Sequence, residues 1–205
     1  MHIVVKADDQ QRDEFLSKPI AKCVMVTFLS TNAIIPEGDV YFDLLFEEQG
    51  ACFGYITDKP VFVNAVITTC DVLPGNSIRI NAWTGFLNRE IIEVSAADPQ
   101  ILAEASQILH VMEWKYQLAP DLPGMISARV IAMIINEAYF GLGDEISTKA
   151  EIDIAMKLGT NYPYGPFEWS KKIGLPKIYA LLKKMYETDS RYAVAPALEK
   201  EIVYK

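Results

Sequence analysis

The sequence is poor in positive charge, in cysteine and in histidine, and each shortage argues against a class of function. Nineteen Lys and Arg stand against 27 Asp and Glu, so the formal net charge is −8 and the isoelectric point is near 4.8. Nucleic-acid binding requires a concentrated basic surface, whereas these basic residues are scattered along the chain. Three distant cysteines, Cys23, Cys52 and Cys70, fit neither a disulfide framework nor a zinc site. They predict buried free thiols in a reducing compartment and no metal site.

A signal peptide and a membrane span are also missing from the pattern. Residues 1–15 lack a long apolar core, which predicts a cytoplasmic location. The most apolar segment, residues 124–143, is interrupted by Arg129, Asn136 and Glu137, which would be costly in lipid. The sequence therefore predicts a helix buried on nearly all sides, by its own domain or by a partner subunit.

The chain divides into two halves of different character. Up to about residue 95, β-rich runs alternate with short connections, and residues 8–18 after the first run are predicted to be helical. This order predicts an α/β N-terminal half with a largely parallel sheet. Helical patterns follow from Asp98, which caps a helix over residues 98–115 with Pro99 in its first turn, and a short link spans residues 116–123. Thr148 and Glu151 stand at capping-box spacing at the start of a later helix. The predicted domains are an α/β domain over residues 1–117 and an all-α domain over residues 118–205.

Residues 158–169, LGTNYPYGPFEW, form an unusual connection between two predicted helices. Gly159 is expected to end the first helix in a left-handed turn, and Pro163 holds Tyr162 extended. Gly165 and Pro166 then begin the next helix. The segment is predicted to be a rigid corner in which aromatic side chains pack, namely Tyr162, Tyr164, Phe167 and Trp169.

Several motifs around this corner resemble the C-terminal domain of 3-hydroxyacyl-CoA dehydrogenases. Three groups match that family in order and spacing: Asn136-Glu137-Ala138, Ile152-Asp153 and Gly165-Pro166-Phe167-Glu168. The departures are Met125 for a Phe, Asn161 for a Gly and Lys171 for an Asp. In the family this helical domain builds the dimer interface and closes over the acyl-CoA end of the cleft. The resemblance therefore implies a homodimer through the C-terminal helices and an acyl-CoA ligand.

The N-terminal half resembles the same family more thinly, as a compressed and degenerate Rossmann-like domain. Residues 79–94 resemble the family segment His-Phe-Phe-Asn-Pro…Val-Glu-Val, with Glu93 at the family Glu and Asn81 at the catalytic His. Asn64, or Thr68–Thr69, stands near the family's Asn-Thr-Ser-Ser strand end. The resemblance implies Glu93 and Asn81 as catalytic positions, and as substrate-binding positions Arg129, Asn64 and Asn136.

The proton acceptor of the family reaction is missing from this pattern. Imidazole suits that step because its pKa lies near the working pH, whereas Asn81 cannot accept a proton at neutral pH. The two histidines lie elsewhere, His2 in the first predicted strand and His110 within an amphipathic helix. Ala128 likewise replaces the family Asn that precedes Arg129.

The glycine loop of a dinucleotide site is missing as well. The first strand, HIVVK, continues into ADDQQRDEF without any glycine, whereas dinucleotide binding uses G-x-G-x-x-G. Asp8 and Asp9 stand at the helix N-terminus that would hold the phosphates, where like charges repel by about 1 kcal/mol or more. Their structural use is to stabilise the helix dipole. We expect no NAD cofactor.

Three functions remain open at this point. In the first, the chain is a family member that keeps the dimerising domain, has lost hydride transfer, and binds an acyl-CoA or serves as a scaffold. In the second, it is an enzyme in which Glu93, with Asn81 and Arg129, moves a proton on a CoA thioester without NAD. In the third, it is a dehydrogenase completed by another chain. The missing base and glycine loop favour the first.

Overall fold

A computed structural model describes residues 1–30 and 34–204 and forms two compact units, Met1–Met125 and Ile126–Lys205. The first unit is α/β and the second is all-helical, which confirms the predicted fold class. The division falls after Met125, whereas the sequence pattern placed it after residue 117. The link stays with the first unit because Ala119 N–H donates to Val94 O at 2.8 Å and Gly124 N–H to Val66 O at 2.7 Å.

The first unit is a seven-stranded sheet with helices. Its strands are β1 His2–Lys6, β2 Met25–Phe28, β3 Val40–Asp43, β4 Val61–Asn64, β5 Ser77–Ile80, β6 Ile91–Ser95 and β7 Lys115–Leu118. Its helices are α1 Asp9–Leu16, α2 Phe46–Gln49 and α3 Pro99–Val111. The strand order is β2-β1-β3-β4-β5-β6-β7, and each neighbouring pair is parallel except β5–β6.

Alternate residues of the strands supply two apolar layers. The larger layer packs against α1 and α3 and includes stacked Phe42 and Phe62, with Phe15 and Trp114 edge-on to Phe42. The opposite layer contains Val4, Tyr41, Phe53, Val61, Val63 and Ala65. Every residue of β3, β4 and β5 is buried, as expected for strands covered on both faces.

Strand β7 corrects the sequence interpretation, which continued the α3 helix to residue 115 and then placed a link. The helix ends at Val111, and Glu113 adopts a positive φ of 62°. Trp114 is buried and donates its Nε1–H to Pro19 O at 2.9 Å, which fixes where the following residues meet β6. All four side chains of β7 are exposed, so no alternation of buried and exposed residues predicts the strand. Its pairing with β6 determines it instead.

The second unit consists of five helices: α4 Ser127–Gly143, α5 Lys149–Thr160, α6 Pro166–Ile173, α7 Leu175–Tyr186 and α8 Pro196–Val203. The capping box predicted from Thr148 and Glu151 at the start of α5 is present. Gly159 remains helical, contrary to expectation, and Asn161 takes the left-handed conformation instead, with φ of 55°. Helix α8 was not predicted from its short sequence.

The corner at residues 158–169 is fixed by the motif residues themselves. Asp153 Oδ1 accepts the Phe167 N–H at 2.8 Å, so α5 caps the start of α6. Glu168 accepts the Gly165 N–H at 2.9 Å and pairs with Lys157 at 2.6 Å. A Cβ on Gly165 would lie 2.3–2.5 Å from atoms of Asp153. Glycine is therefore required here by close approach. Of the four aromatic side chains predicted to pack in the corner, Phe167 and Trp169 are buried, whereas Tyr162 and Tyr164 are 36% and 38% exposed.

Helix α4 is only partly covered by its own unit. Buried residues such as Ala132 and Ile135 face its own unit, but Val130 is 54% exposed, and Met133 and Ile134 beside it are only half-buried. Within residues 1–30 and 34–204, no helix combines the length and apolarity needed to cross a membrane.

The free cysteines also differ from expectation. Cys70 is buried, but Cys52 is only partly buried and Cys23 is exposed. The prediction of buried thiols therefore holds for Cys70 alone.

Candidate functional site

Asn81 directly follows β5, and Glu93 lies on the adjacent strand β6 of the first unit's sheet. Strands β5 and β6 are antiparallel, with Arg79 opposite Ser95 and Ile80 opposite Val94. One further step of this register places Asn81 opposite Glu93. Asn81 lies at the edge where the parallel strands end, which is where open α/β sheets bind their ligands.

The surroundings of these two side chains differ. Asn81 is 2% exposed, and its Oδ1 accepts the Trp83 N–H at 3.2 Å. Glu93 is half-buried and lies near Arg89. Burial lowers the pKa of Arg89, and the negative charge of Glu93 opposes that effect. The pair thus combines an amide held in a turn with a carboxylate that has a cationic neighbour.

Asn64 lies at the same edge, but its amide joins strand ends. Its Nδ2 donates to Leu44 O at 3.1 Å, and its Oδ1 accepts the Ala82 N–H at 2.9 Å. Gln11 of α1 also donates to Leu44 O, at 2.7 Å. Asn64 is fully buried, so the side chain crosslinks β3, β4 and the residues after β5.

Glu47 and Glu14 also hold loops in the first unit, although the sequence analysis did not select them. Glu47 accepts the N–H groups of Ile67 and Thr68 at 2.7 and 2.9 Å. Burial raises the pKa of Glu47, and these N–H groups oppose the rise. Glu14 of α1 accepts the Gly85 N–H at 2.7 Å. Neither residue belongs to a motif, so nothing in the sequence distinguishes it from a surface acid.

The start of α1 is closed by the chain's own carboxylate. Asp8 Oδ1 accepts the Gln11 N–H at 2.7 Å, and the Gln11 side chain accepts the Asp8 N–H at 3.2 Å. Doubly wound folds bind the pyrophosphate of a dinucleotide at this helix N-terminus. Residues 1–125 also carry eight Lys and Arg against seventeen Asp and Glu, a net charge of −9. The residues present therefore do not fit a dinucleotide pyrophosphate here.

Arg129 lies in the second unit, where it contacts an aromatic ring. Its Nε and Nη2 donate to the Tyr192 hydroxyl at 3.0 and 2.6 Å, and its guanidinium lies 4.7 Å from the ring centroid. Arg191 contacts the same ring at 4.7 Å. A shallow groove of about 510 Å³ runs beside this cluster, and we call it the α4 groove. It is lined by Arg129, Val130, Met133, Ile134, Glu137, Arg191 and Tyr192.

Asn136, the other candidate on α4, fixes the chain that leads into α8. Its Nδ2 donates to Ala193 O and its Oδ1 accepts the Ala195 N–H, both at 2.9 Å. The residue is 2% exposed, so its amide is satisfied within the unit. The Asn of the Asn-Glu-Ala motif therefore has a structural role, which is to hold the backbone before α8.

The two histidines lie away from Asn81. His2 is in β1, where its Nε2 is 2.9 Å from Thr27 Oγ1 of β2. His110 is exposed in the last turn of α3. Asn64, Asn81 and Glu93 therefore share one edge of the first unit, with no histidine beside them in the described part of that edge.

Comparison with known proteins shows what the C-terminal part of this chain is similar to. Residues 124–204 match the family profile of the 3-hydroxyacyl-CoA dehydrogenase C-terminal domain. It is 46% identical over 65 residues to the 3-hydroxyadipyl-CoA dehydrogenase of Escherichia coli, covering 32% of this chain and 14% of that protein. It is 30% identical over 115 residues to the 3-hydroxybutyryl-CoA dehydrogenase of Bradyrhizobium diazoefficiens, covering 55% and 39%.

The similarity in fold extends further than the similarity in sequence. The (S)-3-hydroxybutyryl-CoA dehydrogenase of Ralstonia eutropha superposes with a TM-score of 0.71 at 16% identity, over 99% of this chain and 93% of that one. The sequence alignments, by contrast, span well under half the length of the two curated relatives.

Proposed function

We propose that this chain is a 3-hydroxyacyl-CoA dehydrogenase-like protein of acyl-CoA metabolism that does not carry out NAD-dependent hydride transfer. It binds an acyl-CoA as a cytoplasmic homodimer. The observation that carries the proposal is the start of α1, where Asp8 caps the helix at the place a dinucleotide needs for its phosphates. The family C-terminal domain supports the acyl-CoA class of ligand.

The chemistry of the edge agrees with this proposal. Hydride transfer from a hydroxyl carbon needs a base for the hydroxyl proton, and an amide at Asn81 does not supply one. Asn81 can donate a hydrogen bond to a carbonyl oxygen, which is a binding role. A CoA ester placed here would be held without being oxidised.

A second candidate function is favoured by one observation, the register that sets Asn81 opposite Glu93. A carboxylate base beside an amide donor can remove the proton next to a thioester carbonyl while the amide stabilises the enolate oxygen. In that case the chain would be a CoA-thioester enzyme that needs no NAD.

Calorimetric titration tests the proposed function. We expect butyryl-CoA or acetoacetyl-CoA to bind and NAD or NADH to show no heat of binding at millimolar concentration, because the Asp8 carboxylate already occupies the anion position. Binding of NAD at micromolar concentration would contradict the proposal. The Asp8→Ser control keeps a helix-capping side chain but removes its negative charge. Binding of NAD to this variant alone would identify the charge as the cause of the exclusion.

The same samples distinguish the second candidate. In deuterium oxide, a Glu93-dependent enzyme would exchange the proton next to the thioester carbonyl, and Glu93→Gln would slow that exchange by roughly 100-fold or more while leaving binding intact. A binding protein gives no exchange with either form.

The homodimer is proposed through the α4 groove. Val130, Met133 and Ile134 form an apolar stripe at helical spacing that their own unit leaves partly uncovered. Glu137 and Arg191 line the same groove with opposite charges. A two-fold axis through the stripe would let each subunit's Glu137 face the other's Arg191, as self-complementary interfaces require.

Val130→Asp is expected to produce a monomer, because an unpaired charge would be buried at the centre of the interface. Light scattering coupled to size exclusion reports the mass directly. Ile154→Asp is the matched control, since Ile154 is 53% exposed against 54% for Val130 but lies on α5 outside the groove. A wild-type monomer at micromolar concentration would refute the dimer.

A further inference from the structure

Negative charge is concentrated in one unit of this chain. Residues 1–125 carry a net charge of −9, whereas residues 126–205 carry eleven Lys and Arg against ten Asp and Glu, a net charge of +1. Net charge therefore favours the second unit as the place where the phosphates of an anionic ligand find cations. The question is whether the second unit gathers any cations at one place.

The second unit gathers cations beside the corner between α5 and α6. An open groove of about 600 Å³ is lined by Lys157, Pro163, Tyr164, Glu168, Lys171 and Lys172. We call this the lysine corner. Glu168 is its one lining carboxylate and already pairs with Lys157 at 2.6 Å, so two positive charges remain in excess.

An aromatic ring stands among these lysines. Tyr164 is 38% exposed and packs edge-on against Trp169, with ring centroids 4.9 Å apart. The Lys172 ammonium lies 5.2 Å from the Tyr164 centroid. The adjoining Gly165 is held against Asp153, so the ring is presented by a backbone that cannot shift freely.

An exposed aromatic ring flanked by lysines matches the chemistry of a phosphorylated nucleotide. Bases stack on aromatic side chains with little dependence on their sequence, and ammonium groups bind phosphate as point charges. Lys171 is also a position at which this chain departs from the family pattern, which has an acid there. Lys171 thus adds one positive charge to the corner where the family pattern has a negative one.

We propose that the lysine corner binds the adenosine 3′-phosphate 5′-diphosphate part of a CoA ester. The adenine stacks against Tyr164, and the phosphates lie among Lys157, Lys171 and Lys172. The inference rests on the proposed function, for which it names the docking site of the ligand's anionic end.

The test is a titration of CoA into wild type and into the Lys171→Glu/Lys172→Glu double variant, with melting curves to confirm folding. We expect the affinity for CoA to fall at least about tenfold in the variant and to lose most of its salt dependence. The matched control is Lys183→Glu/Lys184→Glu, two exposed lysines on α7, of which Lys183 lies 6.0 Å from the Tyr179 centroid. This control is expected to change the affinity by less than about twofold.

Ligand fragments identify the part that is recognised. Dephospho-CoA is expected to bind the wild type more weakly than CoA, and pantetheine is expected to bind wild type and variant alike. Tyr164→Ser provides a second variant that keeps the charge, and it should weaken CoA but not inorganic phosphate.

Two results would overturn the proposal and are distinguishable. If CoA esters bind wild type and the Lys171/Lys172 variant equally, the corner is not the site, although the proposed function stands. If inorganic phosphate competes as well as CoA does, the corner holds any anion and does not select the nucleotide. Absence of all CoA binding to the wild type would instead remove the proposed function itself.

Discussion

Gly165→Ala is expected to destabilise the C-terminal unit by roughly 2–4 kcal/mol, the sum of an overpacked contact and a lost helix cap. The new Cβ would lie 2.3 Å from Asp153 Oδ1 and 2.5 Å from its Cα and Cβ. Asp153 cannot turn away, because it is 9% exposed and its Oδ1 holds the Phe167 N–H. The backbone of Gly165, with φ of −74°, would suit any residue, so backbone strain contributes nothing to the loss.

Gly159→Ala is the matched control for this substitution. Gly159 lies within α5, and a Cβ there would have no atom within 4 Å. Alanine should therefore stabilise the helix by about 0.5–1 kcal/mol. Urea unfolding followed by circular dichroism measures both changes. A Gly165→Ala variant within about 0.5 kcal/mol of wild type would show that the corner can relax, contrary to the geometry.

This contact also explains why the family motifs are readable in the sequence. Asp153, Gly165 and Glu168 are motif residues that contact one another or each other's backbone, so their spacing records the packing of a corner. The prediction that the corner serves packing follows from the residue types alone. Its connection to Asp153 does not, because that contact joins two helices across a turn.

Elements that depend on local signals could be predicted, and those that depend on distant partners could not. The Thr148–Glu151 capping box and the Asp98 cap stand within a few residues of the helices they begin. Strand β7 exists because it pairs with β6 far along the chain, and nothing in its own four residues indicates that pairing. The sequence assigned the left-handed turn to Gly159, but Gly159 remains helical and Asn161 adopts that conformation two residues later.

The candidate site shows the same division. The resemblance pointed to Asn81 and Glu93, and the β5–β6 register sets them opposite each other. Asn64 and Asn136 were selected for binding, but each has its amide engaged by backbone groups of its own unit. A sequence motif does not reveal whether an amide faces a ligand or a neighbouring carbonyl, because both uses preserve the same residue.

A buried acid that no motif indicated gives the first unit an unusual dependence on pH. Asp43 ends β3, is 1% exposed and lies opposite Lys6 of β1. Its Oδ2 accepts the Cys52 N–H at 2.7 Å, and within the described residues its buried Oδ1 receives no hydrogen bond of ordinary geometry. Burial raises the pKa of Asp43 to about 6, and the Cys52 N–H and the positive charge of Lys6 oppose the rise.

Asp43→Asn is therefore expected to remove a loss of stability that the wild type suffers as pH rises. The folded state keeps the Asp43 proton up to a pKa of about 6, whereas the unfolded chain releases it near the ordinary aspartate pKa of 3.8. The stabilisation from that proton is complete below the unfolded pKa and is lost as pH rises through the folded one. The difference amounts to about 3 kcal/mol.

Urea unfolding of both proteins between about pH 4 and pH 8 measures this change. Asparagine keeps the shape and the acceptor for Cys52, so the variant should gain on the wild type by about 2.5 kcal/mol across that range, mostly below about pH 7. Glu47, whose pKa is also raised by burial, contributes to both proteins and cancels in the difference. The exposed Asp58→Asn provides the control, with a curve expected to run parallel to that of the wild type. If the Asp43→Asn curve runs parallel too, Asp43 has the same pKa in the folded and unfolded chains, and its burial does not hold the proton.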